Sequence, residues 1–107
     1  MAGESSLLAQ SNPSASTLTD ILTVAGIAAE VDDIIITNQG STTALVRLAI
    51  APTGAAVAAE QYILYGESLG PGRTLHVEFR RPLRIPVGGI LRGFADSASV
   101  SFNVVGA

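Results

Sequence analysis

Residues 73–81 read RTLHVEFRR and hold the chain's single histidine, one of its nine acids and three of its six cationic side chains. Polar groups gathered this densely mark either a site or the wet face of a strand. Leu75, Val77 and Phe79 fall on one side of an extended chain, and Thr74, His76, Glu78 and Arg80 on the other. The alternation therefore predicts an amphipathic strand whose apolar side lies on a core.

The same signature extends both ways from this stretch. Upstream, strands are predicted over 18–24 and 31–37, the second centred on Ile34, Ile35 and Ile36, β-branched residues that resist helix. Asn38-Gln39-Gly40-Ser41 predicts a hairpin turn with Gly40 at positive φ. Residues 42–51 place Val46, Leu48 and Ile50 on one face and Leu45, Arg47 and Ala49 on the other. A loop with at most one helical turn over 55–60 leads into a strand at 61–65, where Tyr62 and Tyr65 are expected on opposite faces. After the turn Gly70-Pro71-Gly72 and the opening strand, further strands are predicted over 83–87, 90–95 and 99–105, separated by Gly88-Gly89 and Asp96-Ser97.

About eight short strands without a convincing helix imply an all-β chain, a single antiparallel β-sandwich of jelly-roll-like or immunoglobulin-like type. Residues 1–17 are small and polar, with a turn signal at Asn12-Pro13, and are expected to form an extended N-terminal arm ahead of a sandwich domain over 18–107.

Composition narrows the function. At 107 residues there is room for one core, not for two domains with a cleft between them. Charged residues make up 14% and lysine is absent, so every basic side chain but the histidine is an arginine. Arginine is favoured and lysine disfavoured at protein interfaces, because the weakly hydrated guanidinium stacks on flat surfaces and pairs with carboxylates through two bonds. Residues 1–72 carry seven acids against Arg47, a net of −6, while 73–107 carry five arginines against Glu78 and Asp96, a net of +3. That asymmetry predicts two charged poles able to associate head to tail.

Several classes are disfavoured. A net charge of −3 is wrong for a nucleic-acid partner, which needs a basic face to displace counterions. The N-terminus lacks the pattern of a secretory signal, and residues 48–59 are too short and too broken by Pro52 and Gly54 to span a membrane, so a soluble protein is expected. Without cysteine there is neither a disulfide nor a thiolate metal site. Glu30, Asp32 and Asp33 lack the spacing of a calcium loop, and Gly66, Gly70 and Gly72 do not form a phosphate loop. General acid–base chemistry would fall to His76 beside Thr74 and Glu78, but no nucleophile is expected on a G-x-S-x-G type turn. The expectation is therefore no enzyme, no metal, no cofactor and no small-molecule substrate.

Residues 7–24 (LLAQSNPSASTLTDILTV), 34–56 (IIITNQGSTTALVRLAIAPTGAA), 61–65 (QYILY) and 84–106 (RIPVGGILRGFADSASVSFNVVG) together resemble small tailed-phage virion proteins found as head-decoration (cement) and tail-associated components. The resemblance rests on T-L-T-D at 17–20, T-N-x-x-x-T-x-x-x-x-R at 37–47, the tyrosine-bearing strand and V-S-F-N at 100–103. It implies a virion protein, assembled in the host cytoplasm, that acts by binding: a decoration subunit clamping the major capsid protein or other virion subunits, or a tail or baseplate accessory, including a host-surface adhesin. It also implies a homo-oligomer, with a trimer favoured. The candidate interface residues are Leu7 and Leu8 in the arm, and Arg73, Arg80, Arg81 and Arg84 along a docking edge.

Overall fold

A computed structural model describes residues 6–107 as eight strands and one 3-10 turn. Strands β1 (Ser6–Ser11), β8 (Val100–Gly106), β3 (Ala29–Asn38) and β6 (Thr74–Ile85) form one antiparallel sheet, in that spatial order. Strands β2 (Thr19–Thr23), β7 (Ile90–Ala95), β4 (Ala44–Ala51) and β5 (Tyr62–Leu69) form the other. We call these sheets A and B.

The pairings show how the chain is wound. β4 pairs with β5, β3 with β6, β2 with β7 and β1 with β8, so the chain is one long antiparallel ribbon folded on itself. Rolling that ribbon brings β3 against β8 and β4 against β7, which closes the two sheets. This is a jelly-roll β-sandwich; of the two expected architectures, the immunoglobulin-like one has a different strand order. The alternating residues fill the space between the sheets. Val31, Ile34, Ile36, Val46, Leu48, Leu91, Val100, Phe102 and Val104 are fully buried, while Leu75, Val77 and Phe79 pack against this cluster and remain part-exposed.

Gly93 faces inward on β7. An added Cβ there would collide with Ile21 Cδ1 and lie 3.2 Å from the Phe102 ring, so the glycine makes room for the core's aromatic residue.

Three expectations are corrected. Asn38-Gln39-Gly40-Ser41 is not a hairpin, because β3 and β4 belong to different sheets. The fully buried Asn38 side chain secures the crossing instead: its amide donates to the Thr42 and Leu69 carbonyls at 2.8 and 2.9 Å, and its Oδ1 accepts the Gly40 N–H at 2.9 Å. Gly40 has no positive φ and instead allows a close approach, since an added Cβ would sit 3.0 Å from Ser99 Cβ.

The second correction concerns 74–80 and 83–87. Residues 74–85 form the single strand β6, because β3 is long enough to pair with both halves. Leu83 opposes Val31 and Glu78 opposes Asp33, so residues 79–82 bulge out opposite Asp32 alone. Pro82 is accommodated because β6 is an edge strand and the bulge releases its missing N–H from the ladder.

The third concerns the arm. Residues 1–5 lie outside the described residues, but 6–11 are built into sheet A as β1, paired with β8. Leu8 and Ala9 pack on the core, and Gln10 donates to Asn103 Oδ1 at 2.7 Å. Burying part of Leu8 and satisfying the outer edge of β8 offsets the cost of ordering this segment.

Candidate functional site

Sheet A has two edges, and the expected interface residues divide between them. Leu7 (54% exposed) and Leu8 belong to β1; Arg80, Arg81 and Arg84 belong to β6, with Arg73 just before it. All four arginines are exposed. They are not one patch: Arg73 lies at the start of β6, Arg80 and Arg81 in its bulge, and Arg84 near its end.

The two-pole expectation is corrected here. Antiparallel pairing of β3 with β6 places the N-terminal acids beside the C-terminal arginines. Glu30 lies directly opposite Arg84, and Arg80 lines a shallow groove with Asp32, Asp33, Glu78 and Phe79. Elsewhere Arg92 Nε donates to Asp20 Oδ1 at 2.9 Å, and its Nη1 to the Ala55 carbonyl at 2.8 Å. Charge separated along the sequence is thus mixed in space. One oxygen of the groove, Asp33 Oδ1, is buried without a hydrogen-bond partner among the described residues.

His76 is exposed on β6 opposite Ile35, and its ring has no hydrogen-bond partner among the described residues. Residues 66–70, Gly-Glu-Ser-Leu-Gly, spell the G-x-S-x-G pattern of a nucleophile elbow, a match the sequence reading passed over. The fold supplies none of the context that the pattern needs. Ser68 lies within β5, paired with Leu45, and the chain continues through a turn into β6 rather than into a helix. Among the described residues no group of three or more histidines, cysteines or acids could hold a metal ion, and no helix is long and apolar enough to cross a membrane.

The arrangement that sequence reasoning missed is on the outer face of sheet B. Arg47 on β4 is directly opposite Phe94 on β7 and Tyr65 on β5. Its guanidinium carbon lies 4.5 Å from one ring centroid and 4.3 Å from the other, a cation held between two π faces. Tyr65 in turn meets Tyr62 edge-to-face, with ring centroids 4.9 Å apart and planes at 85°.

The expectation that Tyr62 and Tyr65 occupy opposite faces is corrected by the register. Tyr62 pairs with Ala49 and Leu64 with Leu48, which leaves Ile63 as an extra residue in β5. One bulged residue reverses the parity of the strand, so both tyrosines end on the outer side while Leu64 still packs on the core. Val57, Ala58 and Ala59 from the preceding loop complete an open groove of about 580 Å³ with the two tyrosines. Tyr65 is 65% exposed there. The heptad-free, period-two pattern gives no warning of such a bulge.

No known protein family and no curated protein matches this sequence. Among solved structures, the fold is similar to the crystal structure of a pentameric capsid protein isolated from metagenomic phage sequences, at 15% identity and a TM-score of 0.45. The match covers 94% of this chain and 60% of that one, so this chain spans less than two thirds of that protein's length. At that level the likeness carries nothing about role.

Proposed function

We propose that the chain is a structural virion protein, a decoration subunit that binds an assembled phage head and stabilises it. The observation that carries the reading is where the polar groups lie: on exposed strand edges and sheet faces, with His76 unpartnered among the described residues. That is the distribution of a module that works by contact. Jelly rolls serve as viral capsid and lectin domains among other things, but a fold does not set a function, and the class comes from the resemblance over 7–106.

A subunit that binds only the assembled shell stabilises it by mass action. The β1 edge with Leu7 and Leu8 and the β6 edge with Arg73, Arg80, Arg81 and Arg84 lie on opposite sides of sheet A. Two unlike surfaces on opposite sides suit a closed ring in which each copy touches two neighbours, a trimer in the reading favoured here. The contacts are made by side chains rather than by sheet extension. Each edge strand carries a bulge: at Leu8 in β1, Ile21 in β2, Ile63 and Gly66 in β5, and 79–82 in β6. Bulged edges resist pairing with another strand.

The second reading, a tail or baseplate accessory acting at the host surface, is favoured by Tyr62 and Tyr65 sharing one exposed face. Quantitative mass spectrometry of purified particles separates the two. Hundreds of copies per particle are expected for decoration, a handful would move the chain to the tail, and absence from particles would overturn both.

A further inference from the structure

We infer that the outer face of sheet B is a binding site for an acidic saccharide, with Arg47 taking its carboxylate and Tyr62 and Tyr65 taking a sugar ring. Arg47 carries the charge argument. It is the one arginine of residues 1–72. The register puts aromatic rings, not acids, on both sides of it. It makes no hydrogen bond or ion pair with another described residue; its contacts are the ring faces of Tyr65 and Phe94. A guanidinium clamped between two rings keeps its N–H groups pointing outward in its own plane, the geometry that meets a planar carboxylate through two parallel bonds. Because the rings already fix the side chain, little further rotamer entropy is lost on binding.

The groove beside it argues for a sugar. Its volume of about 580 Å³ suits one or two pyranose rings and lies within the usual range of small-ligand sites, roughly 300–1,000 Å³. Two rings at 85° make a corner in which the C–H face of a pyranose packs on one ring while its hydroxyls reach the tyrosine hydroxyls. Val57, Ala58 and Ala59 are short enough to leave that space open. Arg47 stacks on Tyr65 without lining the groove, so the carboxylate sits beside the stacked ring. An acidic peptide would satisfy Arg47 but has no polyhydroxylated ring with a C–H face for the tyrosine corner.

The inference holds whether the chain sits on a head or a tail, because it is tested on the isolated full-length protein. Oligogalacturonate, a neutral oligosaccharide of equal length and an oligo-aspartate peptide are titrated separately and followed by amide chemical shifts. The expected result is saturable oligogalacturonate binding, on the order of tenfold or more tighter than the neutral sugar. Shifts should be confined to residues 45–47, 57–65 and 94. Arg47→Met keeps much of the stacked stem and should remove the preference for the acid, Arg47→Lys should restore only part of it, and Tyr65→Ala should abolish binding of both sugars. Each variant is first checked for the parent's amide spectrum away from the face. No saturable sugar binding, equal affinity for acidic and neutral sugars, or shifts at this face from the peptide alone would each overturn the assignment.

Discussion

The β3–β6 edge of sheet A and the outer face of sheet B each display arginine, but in opposite company. On the edge, Arg80 and Arg84 lie beside acids of the same chain, Glu30, Asp32, Asp33 and Glu78. On the face, Arg47 lies between Phe94 and Tyr65 with no acid beside it in the register. A count of charges along the sequence marks the first as the docking surface and ignores the second. What distinguishes them in space is the company of the cation: acids beside the first, aromatic rings beside the second.

The comparison can be broken or sharpened by substitution. The largest effect is expected at the opposite edge of sheet A, where deleting residues 1–12 removes β1, strips Leu8 from the core and bares β8. Leu8 alone accounts for about 1.5–3 kcal/mol if its burial were complete. Loss of cooperative thermal unfolding, or aggregation through the freed edge, is the expected readout; an unchanged melting curve would return this segment to the status of an independent arm.

Phe102→Ala removes the fully buried aromatic ring of the core and should cost about 3–5 kcal/mol in denaturant unfolding. Phe79→Ala, in the edge bulge and only part-buried, should cost about 1–2 kcal/mol. A loss equal to that of Phe102→Ala would mean that the bulge is packed as core. Arg47→Ala deletes two cation–π contacts worth about 0.5–1 kcal/mol each and should lower stability by about 1–2 kcal/mol, with little dependence on salt. Arg81→Ala is expected to leave the unfolding midpoint unchanged and to weaken attachment to particles. If Arg81→Ala destabilised the chain more than Arg47→Ala, the contrast between edge and face would collapse.

How much could be read in advance depended on the range of the interactions. The faces of β4, β6 and β8 were legible because alternation is a local property: Val46 and Leu48, Leu75 and Val77, Phe102 and Val104 all turn inward as the period of two requires. The 3-10 turn Ala59–Gln61 falls at the end of the 55–60 loop, where at most one helical turn was expected. The hairpin expected at 38–41 failed because the same turn residues serve a crossing between sheets, and only the burial of Asn38 distinguishes the two. The tyrosine corner failed for a similar reason. Ile63 alternates correctly in the sequence, and only its lack of a partner on β4 makes it a bulge.

By itself, the sequence determined that the chain would form an all-β sandwich and which side chains would fill it, since apolar periodicity and turn residues act within a few positions of one another. Tertiary structure alone decided which strands share a sheet, that the acids of β3 lie against the arginines of β6, and that Phe94, Arg47, Tyr65 and Tyr62 stand in a row. Those outcomes depend on the register between strands tens of residues apart, and register is set only when both sheets close on a common core.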